Sequence, residues 1–299
     1  MGYRQAHTNI GKSAFTWGTR TYVMGILNVT PDSFSGDGLL QDHQGETPLA
    51  RGLRFVAEGA DILDVGAEST RPGAAPVDGE EEIARLIPVI RALRQATDTP
   101  VSVDTYKADV ARAALDAGAA MVNDVWGLQM DPEMAPLVAE RQVPIVIMHN
   151  RSKPRNAAQE ERLGGRYIGV HYDDLVGDIL RELCAQINLA RQAGIGDGQI
   201  IIDPGIGFGK TVEQNLELLW HTGALAHLGY PILVGPSRKS FIGYTLDLPQ
   251  EERLEGTAAT VAIGIARGAD IVRVHDVQAM SRVARMSDAI VRRDWRPWR

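Results

Sequence analysis

At residues 201–211 the chain reads IIDPGIGFGKT, in which a β-branched run turns directly into Asp203, Pro204 and three alternating glycines. The apolar run is typical of a buried strand. The join places a carboxylate at the carboxyl end of that strand, on a backbone that can approach a ligand closely because glycine has no side chain. The stretch therefore predicts a ligand-binding strand end. The alternative interpretation is that Asp203 caps a loop and the glycines form an ordinary turn.

Three familiar motifs are excluded by counting. A phosphate-binding P-loop requires glycine where Pro204 stands, and a dinucleotide fingerprint beginning at Gly205 requires glycine where Lys210 stands. The start of a nucleophile elbow at Ser237 fails in the same way, because Lys239 occupies its last glycine position. The function must therefore be inferred from the organisation of the whole chain.

Composition indicates a soluble globular protein with one domain over residues 1–299. The hydrophobic content of 44% and the charged content of 23% are ordinary, and an α/β barrel of this length is commonly a single domain. The net charge of -7 disfavours nucleic acid as a partner. The single cysteine, Cys184, excludes an internal disulfide framework and a cysteine-cluster metal site. No run of 18 apolar residues occurs, so we expect no membrane partner and a cytoplasmic location.

Short apolar runs alternate with helical patterns along the chain. The predicted strands cover residues 23–27, 61–65, 100–103, 120–122, 144–148, 199–202, 230–234 and 270–274. The predicted helices cover residues 47–59, 79–94, 132–141, 170–193, 212–220 and 251–267, and two more end near residues 117 and 292. Eight strands that are each followed by a helix predict a (β/α)₈ TIM barrel, with an open doubly wound sheet as the alternative fold. A hairpin over residues 13–23, turning at Gly18-Thr19, is predicted to plug one end.

Polar residues follow the predicted strands at their carboxyl ends, where a barrel of this kind carries its chemistry. They are Asn28, Asp64, Asp104, Asn123, His149, Asp203, Lys239, Arg273 and His275. Each residue alone has an alternative interpretation as a cap or an ion-pair partner. The whole set is more polar than burial beside a core favours without a ligand or mutual pairing.

The chemistry of these strand ends falls into three groups. The two carboxylates and the amide of Asp104, Asp203 and Asn123 complement a flat heterocycle with a polar edge. The cationic donors of Lys239, Arg273 and His275 suit a phosphate or a carbonyl group. The uncharged oxygen of Asn28 suits Mg²⁺, which combines a few protein oxygens with phosphate oxygens and water. We therefore expect a ligand with a polar ring and an anionic arm.

Eight motifs in order resemble the dihydropteroate synthase family of folate biosynthesis, a group of pterin-binding TIM barrels. They are Met24-Gly-Ile-Leu-Asn-Val-Thr-Pro-Asp-Ser-Phe-Ser35, Glu68-Ser-Thr-Arg-Pro-Gly-Ala74, Ser102-Val-Asp-Thr-Tyr-Lys-Ala108, Asn123-Asp124, Met148-His-Asn150, Asp203-Pro-Gly-Ile-Gly-Phe-Gly-Lys210, Ser237-Arg-Lys-Ser-Phe-Ile-Gly243 and Arg273-Val-His-Asp-Val277. The resemblance spans about residues 22–280. It implies a transferase that joins 6-hydroxymethyl-7,8-dihydropterin pyrophosphate to p-aminobenzoate, releasing pyrophosphate and forming 7,8-dihydropteroate.

The resemblance also implies a role for each matching residue. The pterin ring is held by residues matching Asp104, Asn123, Asp203 and Lys239, with Met148 in the wall of the cleft. The pyrophosphate and Mg²⁺ site matches Asn28, Arg273 and His275. The p-aminobenzoate side, where sulfonamide drugs compete, matches Thr70, Arg71, Phe208, Lys239 and Ser240. The residues implied to be catalytic are Lys239, Asp104, Asp203 and Asp37, and the implied assembly is a homodimer built on the outer helices.

One departure from the family pattern lies in the first long loop. The family reads Ser-Phe-Ser-Asp-Gly-Gly, whereas this chain reads Ser33-Phe-Ser-Gly-Asp-Gly38, so the loop carboxylate is displaced by one position to Asp37. Two other functions stay open at this point. A pterin-dependent methyltransferase would share the Asp, Asn, Asp grip, but the set of phosphate-binding residues favours the synthase. A non-catalytic pterin-binding paralogue is supported only by the displaced Asp37.

Overall fold

The structure is a computed structural model that describes residues 5–29, 46–68, 77–153, 156–158 and 160–293. Its strands are β1 (His7–Ile10), β2 (Ser13–Thr16), β3 (Tyr22–Asn28), β4 (Ile62–Gly66), β5 (Val101–Asp104), β6 (Met121–Asp124), β7 (Ile145–Met148), β8 (Ala157–Ala158), β9 (Arg166–Tyr167), β10 (Ile200–Asp203), β11 (Leu233–Val234) and β12 (Ile271–Val274). Its α-helices are α1 (Pro48–Glu58), α2 (Gly79–Ala96), α3 (Ala108–Asp116), α4 (Met134–Arg141), α5 (Leu175–Gln192), α6 (Val212–Trp220), α7 (Ser240–Leu246), α8 (Leu254–Ala266) and α9 (Val277–Val291).

Eight parallel strands form the central sheet, in the order β10-β7-β6-β5-β4-β3-β12-β11. A parallel bridge between Ile202 and Ile232 joins its two ends, and the Ile202 amide donates to the Pro231 carbonyl at 3.0 Å. The sheet is therefore a closed barrel surrounded by helices. The (β/α)₈ prediction is confirmed, and the alternative of an open sheet is wrong.

Two apolar layers explain why these short strands close into a barrel. Side chains on one face, including Met24, Ile62 and Ile201, fill the interior of the barrel. Side chains on the other face, including Leu63 and Val103, pack under the helices. Because each strand is buried on both faces, its sequence is mostly apolar.

The N-terminal hairpin is present, but its position differs from the predicted one. Strands β1 and β2 pair antiparallel, with Ile10 opposite Ser13 and a turn through Gly11, whose φ is +60°. The predicted second strand, at residues 20–23, instead leads into β3 of the barrel, since Tyr22 pairs parallel with Ile271. The aromatic ring of Phe15 and the side chain of Ile10 pack on the barrel interior, so the hairpin does close that end.

Two element boundaries also differ from prediction for local reasons. Helix α5 begins at Leu175 rather than near residue 170, because the Asp174 side chain accepts from the Gly177 amide and caps it there. Helix α7 was not predicted, because it has only seven residues and follows a turn-rich segment. Within the described ranges, the helices are too short or too polar to cross a membrane.

The capping of α6 fixes the far end of the 201–211 stretch. The Thr211 hydroxyl accepts from the Gln214 amide at 3.3 Å, and the Gln214 side chain accepts from the Thr211 amide at 2.9 Å. This reciprocal capping box satisfies two backbone donors at the helix start. It holds the glycine-rich turn between a buried strand and a capped helix.

Candidate active site

Four polar side chains from the carboxyl ends of β4, β5, β6 and β12 form one hydrogen-bonded network. Arg273 Nε donates to Asp64 Oδ2 at 2.6 Å, and Arg273 Nη2 donates to Asp104 Oδ2 at 2.5 Å. Asn123 Nδ2 donates to the same Asp64 oxygen at 3.0 Å. Burial raises the pKa of Asp104, and the nearby Arg273 guanidinium opposes the rise. The network holds two carboxylates beside one cation in a dry part of the barrel mouth.

The network orients the acceptors of the site. Because the Asn123 amide nitrogen is bound to Asp64, the Asn123 carbonyl oxygen remains to accept from a ligand. Asp104 likewise uses Oδ2 for Arg273, and Asp203 uses Oδ1 to accept from the Gly205 amide at 2.7 Å. Each of the three side chains thus has one oxygen that these bonds do not use. Together they suit a ligand edge that donates several N–H groups.

The turn after β10 depends on glycine at two close approaches. Gly205 has φ +72°, and a Cβ atom there would lie 1.9 Å from the His149 carbonyl oxygen. Gly207 has φ +84°, and a Cβ atom there would lie 2.5 Å from Lys239 Cδ. A larger residue would therefore meet both backbone strain and a steric clash. The glycines let Lys239 lie directly on the turn that follows Asp203.

Lys239 connects this turn to the next strand end. Its ammonium donates to the Ile206 carbonyl and lies 4.2 Å from the centroid of the Phe208 ring. Burial lowers the pKa of Lys239 to about 7, although the charge of Asp203 opposes the change. Burial likewise raises the pKa of Asp203, with Lys239 as the main opposing charge. A lysine and a carboxylate thus share one poorly solvated corner beside an aromatic ring.

The loops after β11 and β12 are bound to each other. The His275 amide donates to Ser237 Oγ at 3.1 Å, and His275 Nδ1 lies 3.0 Å from the same oxygen. Arg238 makes a bidentate pair with Asp276, with Nε at 2.8 Å from Oδ2 and Nη2 at 2.6 Å from Oδ1. Arg238 also has φ +55°, a conformation that non-glycine residues adopt only when the surroundings enforce it. These contacts hold Lys239 and His275 in fixed relation.

A second buried network lies behind the turn after β10. Lys210 Nζ is 3.0 Å from His149 Nδ1, and His149 Nε2 is 2.9 Å from Glu182 Oε2. Burial lowers the pKa of His149 to about 4 and that of Lys210 to about 7. His149 therefore faces Lys210 and helix α5.

The structure brings most of the predicted site residues to one end of the barrel. Met148, at the end of β7, is buried and pairs in register with Asp203. Ser240 directly follows Lys239 at the first position of α7, and Asn28 is exposed at the end of β3. Asp37, Thr70 and Arg71 lie outside the described residues. Arg273 contacts Asp64 and Asp104.

Sequence reasoning missed several supporting residues. Ser237 and Lys210 were used to exclude a nucleophile elbow and a dinucleotide fingerprint and stood within two of the family-like motifs. No pattern pointed to their contacts with His275 and His149. Glu182 is one of two carboxylates in α5, so its spacing carried no signal. Asp64 was visible as a polar residue at a strand end, and its contacts show that it organises Arg273 and Asn123.

Residues 24–275 match the family model described as pterin binding enzyme. The dihydropteroate synthase of Clostridium beijerinckii is 50% identical over 285 residues, covering 95% of this chain and 99% of the relative. The dihydropteroate synthase of Bacillus subtilis is 48% identical over 279 residues, covering 93% and 92%.

Solved structures agree in fold and sequence. A dihydropteroate synthase from Clostridium difficile, determined in the presence of pteroic acid, has a TM-score of 0.82 and 47% identity, covering 93% of this chain and 99% of that one. A Xanthomonas albilineans dihydropteroate synthase with 4-aminobenzoic acid has a TM-score of 0.83 and 42% identity, covering 95% and 98%. A Yersinia pestis dihydropteroate synthase with a sulfonamide drug complex has a TM-score of 0.84 and 38% identity, covering 95% and 98%.

Proposed function

The chain belongs to the dihydropteroate synthase family of pterin binding enzymes, and from this premise we propose how its strand ends carry out the reaction. The protein is a transferase that condenses 6-hydroxymethyl-7,8-dihydropterin pyrophosphate with p-aminobenzoate to give 7,8-dihydropteroate and pyrophosphate. The observation that carries the proposal is the row of acceptors on Asp104, Asn123 and Asp203 beside the Lys239 ammonium.

The pterin ring binds through its donor edge. The unused oxygens of Asp104, Asn123 and Asp203 accept from the ring N–H groups, and Lys239 donates to a ring acceptor on the opposite side. Met148 forms part of the apolar cleft wall. Asp203 is buried and the Asp104 side chain is 11% exposed, so negative charge on these carboxylates favours the positive charge that develops on the pterin methylene carbon as pyrophosphate leaves.

The leaving group is bound beside the pterin edge, on the β12 side of the barrel mouth. Arg273 in β12 and His275 directly after it supply donors for the pyrophosphate oxygens. Asn28 is the last residue of β3, which pairs directly with β12, and its side chain is exposed. Its amide oxygen fits Mg²⁺, because this ion needs few protein oxygens when phosphate oxygens and water complete its coordination shell. When bound, Mg²⁺ supplies charge neutralisation for the pyrophosphate.

The second substrate binds next to Lys239. Phe208 offers an aromatic face 4.2 Å from the Lys239 ammonium, and Ser240 supplies a hydroxyl at the start of α7. The family resemblance adds Thr70 and Arg71 to the p-aminobenzoate side and Asp37 as a catalytic loop carboxylate, and all three lie outside the described residues. The C–O bond breaks first, and pyrophosphate leaves with its electron pair. The amine of p-aminobenzoate then attacks the methylene carbon, the C–N bond forms, and the amine releases a proton to solvent. No protein nucleophile takes part.

A homodimer is part of the proposal, supported by apolar side chains on the outer helices. Trp220 is 56% exposed and Ile290 is 66% exposed, and the Arg267 guanidinium stacks 3.5 Å from the centre of the Trp220 ring. Exposed aromatic and arginine side chains are typical of interface anchors. Sedimentation equilibrium of the wild type and Trp220→Ala tests the dimer, and a monomer mass in both proteins contradicts it.

We place the enzyme in the cytoplasm, supported by a composition with a single cysteine.

The proposal is tested by mixing purified protein with the pterin pyrophosphate, p-aminobenzoate and Mg²⁺ and detecting dihydropteroate by mass spectrometry. Product that accumulates with time and stays absent without p-aminobenzoate supports the synthase. Binding of the pterin without product supports the non-catalytic paralogue instead. Methyl transfer from a methylated pterin to a corrinoid acceptor would support the methyltransferase.

A further inference from the structure

Lys210 is a buried cation that the mechanism above does not use. It is 2% exposed, and its Nζ lies 3.0 Å from each of three acceptors, which are His149 Nδ1 and the carbonyl oxygens of Gly205 and Phe208. A protonated lysine has three N–H donors, so these acceptors satisfy the ammonium completely. Replacing it with an apolar side chain would remove this donor from all three acceptors, although the Gly205 carbonyl would keep the Phe208 amide.

The other nitrogen of His149 sets the ring as an acceptor for Lys210. His149 Nε2 lies 2.9 Å from Glu182 Oε2, and a carboxylate can only accept, so Nε2 carries the proton and Nδ1 accepts from Lys210. Glu182 is itself held by Arg151, whose Nε donates to Oε1 at 3.0 Å. The lysine is therefore anchored through His149 and Glu182 to helix α5.

The two carbonyl groups bound by Lys210 frame the turn that supports both Lys239 and Phe208. The Phe208 amide donates to the Gly205 carbonyl at 3.1 Å, which closes the turn. Inside it, the Ile206 carbonyl accepts from Lys239, and Gly207 packs against the Lys239 side chain. A shift of this turn would therefore move the Phe208 ring and the contact surface of Lys239 together.

We propose that Lys210, oriented by His149, is a positioning residue that holds residues 205–208 in the geometry that p-aminobenzoate binding requires. The inference rests on the roles proposed above for Phe208 and Lys239. Of the three pterin acceptors, Asp203 contacts the turn through the Gly205 amide, whereas Asp104 and Asn123 lie on other strands and do not contact Lys210 in the described hydrogen bonds. Loss of Lys210 should therefore weaken p-aminobenzoate binding more than pterin binding.

Lys210→Met tests the positioning role of Lys210 in the full-length enzyme. Methionine is chosen because its side chain is unbranched and has no hydrogen-bond donor. The KM for p-aminobenzoate should rise about tenfold or more, whereas the affinity for 6-hydroxymethylpterin, measured by its fluorescence, should stay within about threefold. Lys12→Met is the matched control, since Lys12 is exposed and pairs with exposed Asp98. Val138→Ala, at a buried position of α4, reports the effect of lost stability alone and should leave the KM for p-aminobenzoate within about threefold.

Two substitutions of His149 separate its contacts with Lys210 and Glu182, and they test the positioning role of Lys210 even if Lys210→Met does not fold. His149→Asn places an amide oxygen near the position of Nδ1, so it keeps the acceptor for Lys210 and loses the Glu182 contact. His149→Gln places an amide nitrogen near Nε2, so it keeps the Glu182 contact and loses the acceptor. The KM for p-aminobenzoate should rise at least about fivefold in His149→Gln and stay within about threefold in His149→Asn.

The outcomes separate this inference from the function on which it rests. A wild-type enzyme that makes no dihydropteroate overturns the proposed function. An active wild type, together with a Lys210→Met variant of unchanged p-aminobenzoate KM, overturns only the role of Lys210. Equal KM values in the two His149 variants overturn the orientation by His149, and an equal loss of pterin and p-aminobenzoate binding in Lys210→Met shows a general structural role instead.

Discussion

Removal of the Lys239 ammonium should nearly abolish turnover. In Lys239→Ala, the site loses a cation that sits beside Asp203 and donates to the Ile206 carbonyl, 4.2 Å from the Phe208 ring. A charge-assisted hydrogen bond to the ligand in a poorly solvated site contributes roughly 2 to 3 kcal/mol. Since each 1.4 kcal/mol is about a tenfold change, this corresponds to a loss of about 10²-fold in kcat/KM.

A second effect adds to that loss. Lys239 is the main charge that opposes the raised pKa of Asp203, so its removal should raise that pKa further and disfavour the charged form of one of the pterin acceptors. We therefore expect a fall of about 10²-fold or more in kcat/KM.

The assay is dihydropteroate formation with both substrates varied, so that kcat and each KM are obtained separately. Lys12→Ala is the control, because Lys12 is exposed and pairs with the exposed carboxylate of Asp98. The thermal unfolding midpoint of both variants shows that the fold is retained. A Lys239→Ala enzyme within about threefold of the wild type would refute the role assigned to this lysine.

Three further predictions concern pH, the glycine turn and the metal. The pKa of Lys239 is lowered to about 7 and its protonated form is the active one, so kcat/KM should fall as pH rises above about 7. Lys239→Arg should move that decline to higher pH. A pH profile that is unchanged in Lys239→Arg would contradict the role assigned to the Lys239 ammonium. Gly205→Ala should lower the free energy of unfolding, measured by urea denaturation, by about 3 kcal/mol, because the added Cβ would clash with the His149 carbonyl. Gly164 is the control, since it has φ +74° but open space among the described atoms, and Gly164→Ala should cost only about 1 kcal/mol. Equal losses in the two variants would show that backbone strain, and not the clash, determines the cost. Chelation of divalent metal should reduce turnover and Mg²⁺ should restore it, and full activity of the chelated enzyme would exclude the metal role assigned to Asn28.

Most of the barrel was predictable because burial imposes a local pattern. A strand that is covered on both faces must be apolar along its length, and the first residue beyond it meets solvent or a ligand. That rule placed Asp104, Asn123 and Asp203 correctly at strand ends, and the order of motifs agreed with the family that the comparisons show. The rule was weaker for short elements, so the hairpin at residues 7–16 was placed too late and α7 was missed.

Local periodicity and burial were enough to predict the barrel class, the succession of strands and helices along the chain, and the chemical type of each strand end. Which side chains meet depended on the folded barrel. Arg273 reaches Asp64 from 209 positions away, and Lys210 reaches His149 from 61 positions away. Such pairs depend on the register and closure of the barrel, which no local pattern specifies. For this reason the glycines of residues 201–211 were readable as a close-approach turn, but the lysine that holds that turn was not.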